Sequence, residues 1–292
     1  MEIGEMEILY TPADARRYVL QRQREGESVA VVPTMGALHD GHLSLVEIGK
    51  QQCDRAAATI FVNPTQFAPH EDLDQYPRTL EQDLQRLQSL GTDAVFVPEV
   101  AAMYPDGCST SIVPPRVANR LEGQHRPEHF GGVCTIVLKL FQCLPCDVAV
   151  FGRKDYQQWR VIESMVADLN LPVKVVAGEI VRDPDGLAMS SRNRYLSVAE
   201  RQSALVIPQA LDQLVSQVTQ GQKDVALLQA NLLRSLDGGG IEDSARVDSV
   251  DYAVIVDAKT LEPILELDRP AVALIAARVG ATRLIDNRLI EV

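Results

Sequence analysis

Residues 33–42 read Pro-Thr-Met-Gly-Ala-Leu-His-Asp-Gly-His, and they decide how the rest of the chain is interpreted. The apolar run at residues 29–32 is typical of a buried parallel strand, and residues 43–53 have the periodicity of an amphipathic helix. Gly36 and Gly41 allow the backbone to approach a ligand closely, and two histidines stand at the start of the helix. A helix N-terminus has free N–H groups and a partial positive charge, which favour phosphate. The stretch therefore predicts a nucleotide site.

The composition is that of a globular protein, and its negative net charge disfavours binding to polyanions. The chain has 292 residues, 46% of them hydrophobic and 23% charged, which is enough for one large domain or two ordinary ones. A formal net charge of −12 argues against nucleic acid or an anionic membrane as a main partner. The acidic N-terminus lacks a signal-peptide core, and the apolar run at residues 271–277 is too short to span a bilayer. We therefore expect a soluble, cytoplasmic protein.

Two patterns of secondary structure divide the chain at a Pro-Asp-Gly turn, residues 184–186. Before it, short β-type runs alternate with helical patterns, which predicts βαβ units and a parallel sheet. After it, two helical patterns are followed by two or three β-type runs, an α+β arrangement. We therefore predict an α/β protein with a parallel-sheet domain at residues 1–184 and a smaller α+β C-terminal domain at residues 185–292.

Several local features are predicted within these two domains. The apolar stripe of one helix would be formed by Leu80, Leu84, Leu87 and Leu90. Residues 109–113 are predicted to form a short strand. Pro208 would kink the first long helix of the C-terminal domain, because its ring blocks regular backbone hydrogen bonding.

Two further patterns have redox or metal spacing, but their context favours other interpretations. The Cys-x-x-Cys pair at residues 143–146 lies between a helix and the next strand, which favours plain reduced thiols over a redox pair. Residues 125–129 match an inverted zinc-protease motif, which needs a continuous helix. Pro127 would break that helix, so we expect a loop there. His70 is expected in an exposed acidic loop.

The histidine pair in the opening stretch has three interpretations: a metal pair, two capping residues or phosphate donors. Helical zinc pairs are usually four residues apart or have a third ligand, and Gly41 between His39 and His42 favours close ligand approach. Imidazoles beside a helix N-terminus would stabilise charge that builds on an α-phosphate.

Polar side chains also follow other predicted strands. Asn63 and Gln66 stand at the carboxyl end of a strand, where open α/β sheets bind ligands, and neutral amides suit hydroxyl and carboxylate groups. Lys154 begins a helix after a later strand and suits phosphate. Residues 189–194 add two hydroxyls and two guanidiniums suited to a leaving diphosphate.

Together these blocks resemble a known family. Residues 39–42 resemble the HxGH signature of nucleotidylyl transferases, and residues 189–192 resemble their KMSKS-type phosphate loop. In order and spacing, six blocks resemble the pantothenate synthetase family; they are residues 33–42, 61–67, 76–79, 126–130, 151–158 and 189–196. The resemblance implies a Rossmann-like N-terminal domain of the HxGH type. It also implies ATP-dependent condensation of (R)-pantoate with β-alanine to pantothenate, AMP and diphosphate through pantoyl adenylate.

The resemblance further implies a role for individual residues. The catalytic set would be His42, His39, Lys154 and Arg192, with His42 as proton donor. The ATP site would comprise Met35, Gly36, Ala37, Leu38, His39, Asp40, Gly41, His42, Gly152, Arg153, Lys154, Asp155, Val181, Met189, Ser190, Ser191 and Arg192. Asn63, Gln66 and Gln158 would bind pantoate, and Gln66 would also lie near β-alanine. No resident metal is implied; Mg²⁺ would come with ATP, held chiefly by phosphates, with Asp83 as a candidate neighbour. A homodimer is implied as well.

The sequence departs from the family pattern at two positions of interest, and two other functions compete with ligation. Arg153 stands where the family often has Glu or Gln, and Glu128 where Gly is expected. An adenylyltransferase would pass AMP to a phosphate-bearing acceptor, for which Arg or Lys would be expected in place of Asn63 and Gln66. A non-catalytic nucleotide-binding regulator would not need His39 and the other reactive groups together.

Overall fold

The chain divides into two compact units in the computed structural model, which describes residues 6–69, 71–240 and 245–291. Unit 1 comprises Met1–Arg153 and Gln157–Glu179, and unit 2 comprises Lys154–Tyr156 and Ile180–Val292. The domain boundary at residue 184 stays a prediction. His70 lies outside the described residues.

Unit 1 is built on a six-stranded sheet in which every neighbouring pair is parallel. The strand order is β1-β4-β3-β2-β5-β6. This confirms the predicted α/β class. The strands are β1 (Glu7–Leu9), β2 (Val29–Thr34), β3 (Arg55–Ile60), β4 (Ala94–Phe96), β5 (Val148–Gly152) and β6 (Lys174–Gly178).

Helices connect these strands and cover both faces of the sheet. Alternate residues of β2 enter different cores: Val29 and Val31 belong to one hydrophobic cluster, and Ala30 and Val32 to the other. A strand buried on both faces reads as a continuous apolar run, which is why the run at residues 29–32 was informative. The helices are α1 (Pro12–Arg24), α2 (Asp40–Gln52), α3 (Leu80–Ser89), α4 (Val100–Met103), α5 (Glu122–His125), α6 (His129–Cys143) and α7 (Tyr156–Asp168).

Two local predictions in unit 1 are wrong. Residues 109–113 form no strand. The predicted apolar stripe at α3 is wrong at Leu80, which is 41% exposed, whereas Leu84, Leu87 and Leu90 pack in the core as predicted. Asp83 was not predicted there, but it is 2% exposed and lies on the buried face with Leu87. A carboxylate is buried there because backbone amides of another segment bind it, as described below. The short elements β1, α4 and α5 were not predicted, since three or four residues carry little periodicity.

Unit 2 packs helices against a three-stranded antiparallel sheet of order β7-β8-β9. This confirms the predicted α+β pattern. Pro208 lies in the first turn of α9, and the helix is interrupted at Leu205, because the proline ring clashes with the carbonyl four residues earlier. The elements are α8 (Val198–Ala204), α9 (Val206–Thr219), α10 (Val225–Leu236), β7 (Ser249–Asp257), β8 (Ala271–Val279) and β9 (Thr282–Ile290). No helix in the described ranges is both long and apolar enough to cross a membrane.

Candidate functional site

The parallel sheet brings three sequence-predicted segments of unit 1 to one edge. β2 lies between β3 and β5, so the carboxyl ends of these strands are neighbours. Residues 35–42 follow β2, residues 61–66 follow β3, and Gly152 ends β5. The chain passes from β2 to β3 on one side, whereas β5 lies on the other, which makes this a topological switch point. Ligands of open α/β sheets bind at such points.

The loop between β2 and α2 has an unusual backbone. Gly36 has φ +82° and Ala37 has φ +50°, so two consecutive residues adopt left-handed conformations. For alanine this costs on the order of 1 kcal/mol, and such strain persists where surrounding contacts enforce it. The contact here is the carboxylate of Asp83, which accepts hydrogen bonds from the backbone N–H groups of Ala37 at 2.9 Å and Leu38 at 2.8 Å.

His39 and His42 lie together at the start of α2. His39 is the residue before the first helical position, and the two imidazole ring centroids are 4.1 Å apart. The backbone N–H of His39 donates to Nδ1 of His42 at 3.3 Å. Because Nδ1 accepts, the proton of a neutral His42 ring is on Nε2. That tautomer gives His42 an N–H donor directed away from its own backbone, as the predicted proton-donor role requires.

Gln66 is held against the β2 loop from one side. Its side-chain Nε2 lies 3.0 Å from the sulfur of Met35, and its Oε1 accepts from Nδ2 of Asn63 at 3.1 Å. Asn63 itself is 1% exposed, and its Oδ1 accepts from the hydroxyl of Tyr104 at 2.8 Å. Of the two predicted pantoate amides that follow β3, Gln66 is half-buried, and the buried Asn63 donates to its side chain.

The backbone carbonyl of Gln66 is held by an imidazole and a guanidinium. Nδ1 of His129 lies 2.9 Å from that oxygen, and the guanidinium of Arg126 donates to it at 3.3 Å. Burial, with the nearby charge of Arg126, lowers the pKa of His129 to about 4, so the ring is neutral. Arg126 also binds Glu71 through two hydrogen bonds of 2.6 and 2.8 Å. Burial alone would raise the pKa of Glu71, but the bonds and charge of Arg126 hold it below its usual value.

Two adjacent glutamines in α7 have different environments. Gln157 is 4% exposed and binds the backbone of the segment before α5, accepting from Glu122 N–H at 3.0 Å and donating to the Val117 and Arg120 carbonyls at 2.9 and 2.7 Å. Gln158 is half-buried. Gln157 therefore packs against neighbouring backbone, and the pantoate contact of Gln158 stays a prediction.

The unexpected arginine at position 153 has partners within unit 1. Its guanidinium donates to the carboxylate of Glu179 at 2.5 Å and lies 5.9 Å from the ring centre of Trp159. A charge paired in this way contributes less positive potential to a phosphate site than an unpaired one would. The neighbouring Gly152, at the end of β5, has the side chain of Leu45 nearby.

Lys154 and Asp155 belong to unit 2 and follow Arg153 in a single 3₁₀ turn. The backbone carbonyl of Lys154 accepts a hydrogen bond of 3.0 Å from the side-chain amide of Asn287 in β9. Asn287 is 4% exposed. A buried amide from a β-strand thus fixes the main chain at the predicted phosphate-binding lysine.

The other predicted ATP residues of unit 2 lie along one hairpin and the turn that follows it. The N–H of Met189 donates to the carbonyl of Val181 at 3.0 Å, which pairs these two residues across the hairpin. Ser190 caps the 3₁₀ turn Ser191–Tyr195, accepting from the N–H of Arg192 at 3.3 Å. Ser191 is 8% exposed and Arg192 is half-buried.

Charged side chains brace this hairpin within unit 2. Asp183 accepts from Arg201 at 2.7 Å and from Asn193 at 3.3 Å. The buried Asp286 binds Arg182 through two hydrogen bonds of 2.7 and 2.9 Å. These supporting residues were not predicted, because each contact joins positions far apart in the sequence or outside the recognised blocks.

The redox and metal alternatives have no structural support. Cys143 and Cys146 are free cysteines, and burial raises the pKa of both thiols, that of Cys146 to about 12. A reactive CxxC pair requires a lowered thiol pKa. The helix needed by the zinc-protease pattern is interrupted between His125 and His129, as expected from Pro127. Within residues 6–69, 71–240 and 245–291, no group of three or more His, Cys, Asp or Glu side chains could hold a metal ion.

Comparison with known proteins gives matches along nearly the full chain. A relative from Rhodopirellula baltica, named pantothenate synthetase, is 54% identical over 283 residues, which are 96% of this chain and 97% of the relative. The crystal structure of pantothenate synthetase from Thermus thermophilus has a TM-score of 0.90 and 40% identity, covering 97% of this chain and 99% of that one. A pantoate-β-alanine ligase from Francisella tularensis, complexed with β-γ ATP and β-alanine, has a TM-score of 0.77 and 32% identity over 98% of both chains.

These similarities agree with the order of the candidate site segments along the chain and with the fold that positions them. The segments at residues 33–42 and 61–67 lie at the sheet edge that the resemblance required, and the antiparallel sheet of unit 2 follows them in the chain. The sequence model of the pantoate-β-alanine ligase family matches residues 7–289. The chain therefore belongs to the pantoate-β-alanine ligase family.

Proposed function

We propose that this protein condenses (R)-pantoate with β-alanine at the expense of ATP, forming pantothenate, AMP and diphosphate. The observation that carries the proposal is the full-length family match, residues 7–289, in a chain that retains His39, His42 and Gln66 at one sheet edge. Such chemistry asks a protein mainly to position reactants and stabilise charge, which fits a site of neutral amides and imidazoles.

The first step forms pantoyl adenylate. A carboxylate oxygen of pantoate attacks the α-phosphorus of ATP, and the bond from that phosphorus to the bridging oxygen of diphosphate breaks. Negative charge builds on the α-phosphate oxygens as the bond forms. The Nε2–H of His42, beside the N-terminus of α2, is the donor that we assign to this charge, with His39 assisting.

The second step transfers the pantoyl group. The uncharged amine of β-alanine attacks the acyl carbon, the bond from that carbon to the AMP oxygen breaks, and the nitrogen loses a proton as the amide forms. Gln66, held by Asn63 and by the carbonyl contact of His129, is the residue that we assign to both pantoate and β-alanine. Asn63 and Gln158 are the other amides assigned to pantoate.

Residues 35–42 with Gly152 and Arg153 of unit 1 are proposed to bind ATP. From unit 2, Lys154, Arg192 and the remaining ATP residues are proposed to bind its phosphates and adenosine; these are Asp155, Val181, Met189, Ser190 and Ser191. Their side-chain hydroxyls and cations suit a leaving diphosphate. Mg²⁺ is proposed to enter as part of the ATP substrate, held chiefly by phosphate oxygens. We further propose a cytoplasmic homodimer with domains at residues 1–184 and 185–292.

An omission assay tests the proposed function. AMP and diphosphate release are measured with ATP, pantoate and β-alanine together, and then with each left out in turn. We expect steady AMP release to require all three, and a single turnover of diphosphate release when only β-alanine is omitted. AMP release that did not depend on pantoate and β-alanine would overturn the proposal. An adenylyltransferase would release diphosphate but no AMP with a phosphate-bearing acceptor, and a regulator would bind ATP without turnover.

A further inference from the structure

The carboxylate of Asp83 is turned into the protein toward the loop that precedes α2. Asp83 is 2% exposed and lies in α3. Its Oδ2 accepts from the N–H of Ala37 at 2.9 Å and its Oδ1 from the N–H of Leu38 at 2.8 Å. The hydroxyl of Thr79, one turn earlier, donates to Oδ2 at 3.2 Å. Both carboxylate oxygens are therefore engaged by donors within unit 1.

The loop that binds this carboxylate has a backbone conformation that must be stabilised by contacts from other segments. Gly36 and Ala37 adopt left-handed conformations in succession, which turns consecutive backbone N–H groups toward one point. A carboxylate at that point makes charge-assisted hydrogen bonds, which are stronger than those of a neutral acceptor. A neutral side chain of the same shape could accept from only one of the two amides.

The carboxylate also limits what the loop can contain. A Cβ atom on Gly36 would lie 3.1 Å from Oδ2 of Asp83 and 3.1 Å from Cγ2 of Ile60, tighter than ordinary contact. The loop backbone is therefore enclosed between α3 and β3. His39 follows immediately and leads into α2, so the position of the loop determines where the paired imidazoles of His39 and His42 lie.

We propose that Asp83 is a positioning residue for the adenylation step, acting through the backbone of Ala37 and Leu38 on the two histidines. We assign it neither a substrate contact nor a role as a ligand of the Mg²⁺ that accompanies ATP, because it is 2% exposed and both its oxygens face donors of unit 1. The inference rests on the proposed function for the reaction step, whereas the part that concerns the loop depends only on geometry.

Asp83→Asn tests the inference, since it keeps the shape of the side chain and removes one acceptor. We expect the rate of diphosphate release in a single turnover with ATP and pantoate to fall roughly ten- to hundredfold, the loss of one or two charge-assisted hydrogen bonds. The KM for β-alanine should change less than twofold. Glu81→Gln is the matched control, because Glu81 is an exposed acid of the same helix and its replacement removes the same charge.

Amide hydrogen exchange supplies a readout that does not depend on activity. In the wild-type protein the Ala37 and Leu38 amides should exchange slowly, and in Asp83→Asn they should exchange at least tenfold faster while amides of α6 stay protected. If Asp83→Asn does not fold, Thr79→Val is measured in its place, because it removes one donor to Oδ2; smaller changes of the same kind are expected. Unchanged loop exchange, or activity of Asp83→Asn restored by raising Mg²⁺ alone, would overturn the inference.

The two proposals fail in different ways. A wild-type protein that gave no pantoate-dependent diphosphate release would refute the proposed function. The exchange experiment would still test whether Asp83 holds the amides of Ala37 and Leu38. An active wild type with an equally active Asp83→Asn variant would refute the role of Asp83 alone.

Discussion

Nδ1 of His129 lies 2.9 Å from the backbone carbonyl oxygen of Gln66, and the nitrogen must carry a proton to donate there. The contact joins the start of α6 to the turn that follows β3. It holds the main chain of Gln66, while Asn63 and Met35 contact its side chain. One half-buried imidazole therefore orients the residue that we assign to both small substrates.

The low pKa of His129 predicts a specific acid sensitivity of unit 1. Burial, with the charge of Arg126, lowers the pKa of His129 to about 4 in the folded protein, whereas an unfolded histidine titrates near 6.5. Between these values the unfolded chain binds a proton that the folded one does not. The contribution of the neutral His129 to the free energy of unfolding is therefore fully present above about pH 6.5. It is lost as the pH falls toward 4, by up to about 3 kcal/mol.

Urea unfolding followed by the fluorescence of Trp159, the only tryptophan of the chain, measures this effect in α7. We expect the wild type to lose about 2–3 kcal/mol more than His129→Asn between pH 7.5 and pH 4.5. His125→Asn is the control, because His125 is exposed. Equal pH slopes for the wild type and His129→Asn would contradict the prediction.

Gly132 should be far less tolerant of alanine than its neighbour Gly131. A Cβ on Gly132 would lie 2.2 Å from the carbonyl oxygen of Thr65 and 2.8 Å from the backbone nitrogen of Gln66. Backbone atoms cannot rotate away as side chains can, so α6 or the turn must move. We expect Gly132→Ala to lower stability by about 1–3 kcal/mol and to raise the KM for pantoate and β-alanine.

Gly131→Ala is its matched control. A Cβ there would meet only the carbonyl of Ile112 at 3.7 Å, an ordinary contact. Alanine is also favoured over glycine inside a helix by up to about 1 kcal/mol. We expect this variant to be as stable as the wild type or more so, and fully active. Similar behaviour of the two alanine variants would show that α6 does not constrain the turn.

His42→Ala should lower turnover by about two orders of magnitude or more, the usual loss of one preorganised donor to transition-state charge. The Nε2–H of His42 is the donor removed, and the backbone N–H of His39 loses its acceptor as well. The measurement is the rate of diphosphate release with ATP and pantoate, in a protein whose Trp159 fluorescence matches the wild type. Near-normal turnover in such a protein would exclude His42 from the mechanism.

Arg126→Lys should weaken the binding of the small substrates without unfolding unit 1. Lysine keeps the positive charge, but it cannot make the bidentate hydrogen bonds to Glu71 together with the hydrogen bond to the Gln66 carbonyl. We expect the KM for β-alanine to rise about tenfold, the equivalent of roughly 1.4 kcal/mol. Arg116→Lys, at an exposed position, is the control. An unchanged KM would show that the Arg126–Glu71 pair does not support Gln66.

The sheet, and the edge at which the candidate site residues 33–42 and 61–67 lie, could be predicted because they depend on short-range patterns. The apolar run at residues 29–32 and the following glycines identified β2 and the start of α2 without any knowledge of packing. Polar residues after each strand then predicted that these side chains lie together at one edge of the sheet, because parallel strands end on the same side. The strand predicted at residues 109–113 failed because five residues carry too weak a pattern to distinguish a strand from an extended segment.

The roles of individual side chains depended on contacts that no local pattern encodes. Leucines at positions 80, 84, 87 and 90 predicted a buried stripe, but Leu80 is exposed and Asp83 is buried beside Leu87. An acidic residue on the apolar side of a helix was the available signal. What made its burial favourable is a pair of amides 45 and 46 residues away in the chain.

By itself, then, the sequence determined the class of fold, the order of its longer elements, the sheet edge at which the candidate site residues lie and the family to which the chain belongs. These follow from hydrophobic periodicity and from residue types at fixed spacing, both of which are local properties. Only the tertiary structure decided that Gln157 is buried against neighbouring backbone, which ring nitrogen of His42 carries the proton, and what holds Ala37 in its left-handed conformation. Each of these depends on the partner that packing supplies, and a buried polar group is stable only where such a partner is present.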